Sequence, residues 1–255
     1  MLIDPIQFAE DTEKIVVKGA LRKYYRLARP ERWYGGISSA YCCGCNLRCV
    51  FCFSGFPRDK PQDIGQFYDP RQVFKELLLC ARKYGYDKLR ITGNEPTLGK
   101  EHLFRVIELT EKTNLLYILE SNGILIGHDE DYARRLAKYK HVHVRISLKG
   151  TDNLEFSKLT GANANAFDLQ LKALENLTNY NVPCNPAVMT SFSPSEGVER
   201  LKERLQRIDQ SLANKLEEES VILYPPVIKR LKEKGIKLNA SALPTKTYRS
   251  KYYCA

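Results

Sequence analysis

Cys45-Asn46-Leu47-Arg48-Cys49-Val50-Phe51-Cys52 is the stretch from which the rest of this chain is read. Its thiols are spaced C-x3-C-x2-C, on a loop that follows the apolar run 37–41. Four cysteines would close a zinc or iron–sulfur site. Three on one loop hold a [4Fe–4S] cluster by three of its irons and leave the fourth open. An open iron binds a substrate or cofactor directly, which is the arrangement of a catalytic metal site rather than a structural one. The competing reading of the same thiols is a zinc knuckle.

Composition narrows the field. The chain has 255 residues and 43% hydrophobic residues, enough for a globular domain with a sizeable core. No apolar run reaches membrane-spanning length, and the start Met1-Leu2-Ile3-Asp4-Pro5 lacks a signal peptide's basic and apolar regions. Five of eight cysteines fall between 42 and 52, which suits metal ligation in a reducing, cytoplasmic setting rather than a disulfide framework. Cys42, Cys43, Cys80, Cys184 and Cys254 form no second C-x2-C pair, so no auxiliary cluster is expected. The four histidines, His102, His128, His141 and His143, show no metal-ligand spacing. Net charge is +10. Residues 228–255 hold eight Lys/Arg against the single acid Glu233, with Tyr248, Tyr252 and Tyr253 among them. Such a segment reads either as a solvated surface or as an RNA-binding patch.

Periodicity gives the architecture. Residues 1–35 read as an N-terminal extension, helical over 15–27. Strand signals then alternate with helix signals: strands at 37–41, 88–92, 115–121, 141–148, 182–190 and 221–224, helices at 70–84, 100–113, 129–139, 166–179 and 196–213. Alternation of this kind implies parallel βαβ units. Six of them predict an α/β fold, an open, partial (β/α)6 TIM-like barrel over 36–227, followed by the basic C-terminal segment 228–255. Barrel enzymes place their chemistry at the carboxyl ends of the strands.

The remaining motifs fall there. Gly93-Asn94-Glu95-Pro96 follows the second strand, Glu120-Ser121-Asn122-Gly123 the third, and Ser147-Leu148-Lys149 the fourth. A glycine lets backbone carbonyls approach an ammonium closely, and a carboxylate completes its coordination. Taken alone, Glu95 is equally a helix-start acid, Glu120 a structural strand-end acid and Lys149 a surface lysine.

The cysteine spacing, with an aromatic residue before the last thiol, resembles the signature of the radical S-adenosylmethionine (SAM) superfamily. The resemblance implies a [4Fe–4S] cluster on Cys45, Cys49 and Cys52, with SAM bound to its open iron. Gly93, Asn94 and Glu95 would hold the SAM amino group, Phe51 would lie against the adenine, Glu120 and Ser121 near the ribose or methionine, and Lys149 would offer its ammonium to a carboxylate. Reductive cleavage of SAM would give a 5′-deoxyadenosyl radical that abstracts a hydrogen atom, with the electron from an external donor such as ferredoxin or flavodoxin. Over 37–177 the motif order, including Leu159-Thr160-Gly161, is similar to the glycyl-radical-enzyme activating enzymes, whose substrate is a protein. Two positions depart from that branch. Ser147 stands where it carries Asp, and Phe53-Ser54-Gly55-Phe56-Pro57 replaces its His-Asn-Pro. The alternatives are a radical SAM enzyme modifying RNA or a nucleotide, and a non-enzymatic iron–sulfur or zinc module.

Overall fold

The computed structural model describes residues 2–239. Helix α1 (Pro5–Val16) leads into strands β1 (Val17–Lys18) and β2 (Leu21–Glu31), a 3₁₀ turn at Trp33–Gly35, and β3 (Ile37–Cys42). A long loop separates β3 from α2 (Gly55–Asp59), β4 (Gln66–Tyr68) and α3 (Pro70–Tyr84). Then follow β5 (Lys88–Thr92), α4 (Lys100–Glu111), β6 (Leu116–Ser121), α5 (Ile124–His128) and α6 (Asp131–Leu136). Next come β7 (Val142–Leu148), α7 (Asn153–Thr160), α8 (Ala166–Asn179) and β8 (Cys184–Met189). The last elements are α9 (Ser195–Ile208), α10 (Gln210–Asn214), β9 (Glu217–Glu219) and α11 (Pro225–Glu233).

The strands make one sheet in the order β1-β2-β3-β5-β6-β7-β8-β9, with β4 paired to β2. From β3 to β9 every neighbouring pair is parallel, so six parallel strands form the unclosed barrel expected from the alternation. Side chains alternate between its faces. Leu89, Ile91, Leu119, Val144 and Ile146 join the buried core with Val73, Leu77 and Ala81 of α3 and Phe167, Leu171 and Leu174 of α8. The interleaved Arg90, Glu120 and Arg145 fall on the other face, which makes the concave side of the sheet polar. Local signals set several boundaries: Asp69 caps α3 through its carboxylate with Gln72 closing a capping box, and Pro70 opens the helix.

Two of the expected elements lie elsewhere in the chain. The helix expected over 15–27 lies instead at Pro5–Val16, capped by Asp4, and residues from 21 form β2. Its basic, leucine-containing sequence is compatible with a helix, but it pairs antiparallel with both β3 and β4. That pairing buries Arg22, which donates to the carbonyls of Leu98 (2.8 Å) and Cys43 (2.6 Å). The sixth parallel strand is Glu217–Glu219, not the apolar 221–224. Three consecutive glutamates carry no strand signal; they pair with β8 because Arg145 meets Glu217 and Glu219 at 2.7 and 2.8 Å. Val221 instead joins a small apolar cluster with Val50, Leu159, Val227 and Leu231. Of the basic segment, α11 contains the first part, and residues 240–255, with Tyr248, Tyr252, Tyr253 and Cys254, lie outside the described residues.

Helices α5 and α8 touch where Gly127 faces the backbone of α8: a Cβ there would sit 1.9 Å from the Leu169 carbonyl oxygen. Backbone cannot yield as a side-chain tip can. Gly127→Ala should therefore lower stability by about 3 kcal/mol in denaturant unfolding. A loss below about 0.5 kcal/mol, within the range of a surface substitution, would mean the contact is looser than described.

Candidate functional site

The cysteine loop runs from Cys43 to Ser54 without helix or strand. Its backbone is satisfied from outside. The Arg48 amide donates to Thr160 O (3.0 Å) and the Val50 amide to Leu159 O (2.9 Å), which gives the Leu159-Thr160 motif a concrete role at the end of α7. Asn122 Nδ2 donates to Asn46 Oδ1 at 2.7 Å, tying the loop to the end of β6. All three candidate thiols are free. Burial pushes the Cys45 and Cys49 thiols up from their ordinary pKa, and Lys149 and Arg58 oppose this at Cys49. Iron ligation would replace those protons.

Among the described residues, no three His, Cys, Asp or Glu side chains converge to chelate one ion. A cubane cluster makes no such demand, since each thiolate binds a different iron, so the donor set fits a [4Fe–4S] cluster.

The Gly93–Glu95 turn lies against the same loop: the Glu95 amide donates to Gly44 O at 3.1 Å. Gly93 has φ +94°, and a Cβ there would come within 3.0 Å of Tyr25 and Tyr41, so the turn needs glycine. Asn94, the next residue of the turn, is not among those with positive φ. Its side chain acts instead, Nδ2 donating to Cys42 O (3.2 Å) and Ser54 Oγ (3.1 Å). Asn94 Oδ1 is buried without a partner. A buried acceptor without a donor is costly, and an incoming ammonium would satisfy it.

Glu95 is more than a helix-start acid. It is buried, and its carboxylate accepts from Thr97 N, Thr97 Oγ1, Ser121 Oγ (2.8 Å) and Asn122 N (2.8 Å). Three of those bonds go to Oε1 and one to Oε2, which leaves Oε2 room for one further donor. The Ser121 hydroxyl is thus committed to Glu95, and the ends of β5 and β6 are locked together.

Glu120 sits in a charge ladder on the concave face. Arg90 pairs with Glu120 and Glu31, each at 2.6 Å, and its Nε donates to Ser39 Oγ. Tyr34 donates to Glu120 at 2.5 Å and Thr92 Oγ1 at 3.0 Å. Tyr34 reaches it from the 3₁₀ turn with φ +55°, a conformation that disfavours a non-glycine residue. Tyr41 donates to Glu31.

At the end of β7, Lys149 Nζ donates to Ser147 Oγ at 2.5 Å and lies 5.9 Å from the Phe51 ring centre. Phe51 stacks on Phe192 at 5.6 Å and 25°. The structure therefore brings Cys45, Cys49, Cys52, Phe51 and Lys149 into one neighbourhood, and Gly93, Asn94, Glu95 and Ser121 into an adjoining one. Glu120 belongs to the ladder.

Sequence reasoning missed several of these partners. Gln170 Nε2 donates to Asn122 O (2.5 Å) and Ser147 O (3.2 Å), cross-linking the ends of β6 and β7. A glutamine on the inward stripe of α8, beside Phe167 and Leu171, was the available signal. Phe192, Tyr34, Arg90 and Arg145 had none that local pattern could show, because their partners are distant in the chain.

The ladder has a pH signature. Burial alone would raise the Glu120 carboxyl; Arg90, Tyr34, Arg145 and Thr92 outweigh it and hold the pKa below the ordinary 4.5. A depressed carboxyl stabilises the fold above its unfolded pKa, and this is lost as pH falls through the folded value. Glu120→Gln should cost about 3 kcal/mol at pH 7. That difference from wild type should shrink as urea unfolding is repeated progressively below pH 4.5. A cost independent of pH would remove the ion pair as its source.

Comparison with known proteins agrees with this geometry. A GTP 3′,8-cyclase of Peptoclostridium acidaminophilum is 34% identical over 119 residues, covering 46% of this chain and 34% of that protein. A probable GTP 3′,8-cyclase of Pyrococcus horikoshii is 25% identical over 220 residues, 82% of this chain and 67% of the relative. The chain spans only 34%, 25% and 48% of the first three curated relatives it matches. These relatives do not carry the name of a glycyl-radical activase, so the branch expected from the later motifs is not supported. Among solved structures, Streptococcus suis SuiB bound to S-adenosylmethionine superposes with a TM-score of 0.58 at 18% identity, covering 74% of this chain and 44% of SuiB. TYW1 with a lysine-pyruvate adduct superposes at 0.52 and 16% identity, covering 92% and 89%. At such identities the structures show the fold alone. No helix among the described residues is long and apolar enough to cross a membrane. The sequence profile of the radical SAM superfamily matches residues 40–207, well over half the chain, and the protein belongs to that superfamily, an enzyme with a [4Fe–4S] cluster and S-adenosylmethionine as its cofactors.

Proposed function

We propose that this chain directs radical SAM chemistry at a nucleotide-class substrate. The observation that carries the SAM half is the juxtaposition of three free thiols with a turn whose Asn94 Oδ1 is buried and unpartnered. Support for the substrate half comes from the relatives named GTP 3′,8-cyclase, one of them matched over 82% of this chain. The polar concave face, with Arg90, Glu120 and Arg145, suits a substrate rich in hydrogen-bonding groups. The RNA reading rested on a basic segment whose three tyrosines and Lys246, Arg249 and Lys251 lie outside the described residues.

When bound, the cluster and SAM supply one-electron reduction and carbon–sulfur cleavage, giving a 5′-deoxyadenosyl radical for hydrogen abstraction. The residues have these parts. Cys45, Cys49 and Cys52 ligate three irons. The Gly93 backbone, Asn94 Oδ1 and the free position on Glu95 Oε2 accept from the SAM ammonium. Phe51, held by Phe192, offers a flat face to the adenine. Lys149, steadied by Ser147, pairs with a carboxylate. Ser121 holds Glu95 in position, and Glu120 holds the concave face through Arg90. The electron comes from a one-electron donor of ferredoxin or flavodoxin type in a reducing, cytoplasmic setting.

Three measurements test the reading. Anaerobically reconstituted protein, reduced with dithionite, should form 5′-deoxyadenosine, and formation should rise with a nucleoside triphosphate from a panel that also includes short peptides. Stimulation by peptides alone would overturn the substrate class. Cys49→Ala should lose most of its iron and the reduced-cluster EPR signal; full iron with an unchanged signal would sink the ligand assignment. Asn94→Ala should weaken SAM binding by about ten- to a hundredfold, because a hydrogen bond to a charged group contributes about 1.5–3 kcal/mol. Calorimetry showing wild-type affinity would remove Asn94 from the site.

A further inference from the structure

The carbonyl of each candidate cluster ligand is capped by an arginine. Arg48 Nη1 donates to Cys45 O at 2.9 Å. Arg58 Nη1 donates to Cys49 O at 2.5 Å. Arg230, on α11 and far along the chain, donates through Nη2 to Cys52 O and through Nε to Val50 O at 3.0 Å. One carboxylate, Asp59, serves two of these guanidiniums, lying 3.1 Å from Arg48 and 2.7 Å from Arg58. The three cations therefore exceed the acid that faces them, and Lys149 adds a further positive charge toward Cys49.

From this arrangement we infer that Arg48, Arg58 and Arg230 form a cationic collar that sets the reduction potential of the cluster, with Arg230 its member contributed by α11. The inference rests on the assignment of Cys45, Cys49 and Cys52 as ligands. A cluster on three thiolates gains a further negative charge when it takes an electron. Fixed cations in a partly buried site stabilise that reduced form more than the oxidised one and raise the potential. Capping also ties up the negative ends of the carbonyl dipoles, which would otherwise oppose the electron.

The surroundings are built to hold Arg230 there. Val227 and Leu231 of α11 pack with Val50 of the loop and Leu159 of α7, anchoring the helix over the cysteines. Gly55 leaves space for the guanidinium: a Cβ there would meet Arg230 Nη1 at 2.7 Å. This glycine belongs to the segment 53–57 that departs from the activating enzymes, and accommodating Arg230 gives it a physical reason.

An EPR-monitored redox titration of the anaerobically reconstituted full chain separates potential setting from a merely structural clamp. A clamp would change iron content and leave the midpoint alone. Arg230→Gln should keep its iron and shift the [4Fe–4S]2+/1+ midpoint to a more negative potential. Arg230→Lys, which keeps the charge, should restore most of the shift. Gly55→Ala, which displaces the guanidinium without removing it, should shift the midpoint partway in the same direction. Wild-type midpoints in both Arg230→Gln and Gly55→Ala would overturn the inference. If Arg230→Gln loses its iron, Gly55→Ala and Arg48→Gln decide on the same criterion. Wild-type protein that takes up no iron would overturn the ligand assignment, and this inference with it.

Discussion

A loop of twelve residues without regular structure, 43–54, has to hold three thiols still. Every other feature of the site follows from how that constraint is met. A loop cannot satisfy its own backbone, so its amides and carbonyls find partners elsewhere. The amides of Arg48 and Val50 use the carboxyl end of α7; the carbonyls of Cys45, Cys49 and Cys52 use three arginines. Helix α7, the end of β6 and helix α11 thus converge on one short segment. Such a loop is held in place by anchors on distant elements of the barrel.

The barrel fixes them by dividing its two faces. Apolar residues of the parallel strands turn toward the helices and form the main core. The opposite face carries Arg90 between Glu31 and Glu120, and Arg145 between Glu217 and Glu219. Burying ions is costly, and each arginine here is met by two carboxylates, which is the condition under which the cost is offset. An unclosed sheet tolerates such a lining, where a closed barrel of this size would fill its centre with apolar side chains. The concave face is therefore polar before any ligand arrives.

Much of the site was legible in local sequence, and the reasons are specific. The C-x3-C-x2-C loop and the Gly93–Glu95 turn are contiguous, so their chemistry is visible in a string of residues. Helices such as Pro70–Tyr84 announce themselves through the Asp69 cap and apolar spacing. The Leu159-Thr160-Gly161 element was noticed as a motif, and its function as the loop's anchor appeared only with the fold. The branch expected from the later motifs is not supported by the relatives, and Ser147 and the 53–57 segment are the places where this chain departs from it.

What the sequence determined by itself was the chemistry carried by near neighbours: a three-thiol loop, a glycine turn with an acid, five of the six parallel strands with helices between them, and their order along the chain. The tertiary structure decided what depends on residues far apart. It turned a helix-compatible basic run into β2, because pairing with β3 and β4 outweighs weak local propensity. It made a strand of three glutamates, because Arg145 waits across the sheet. And it brought Arg230 to Cys52 across 178 positions of chain, a contact no local pattern encodes, because only packing of α11 against Val50 and Leu159 puts the two side by side.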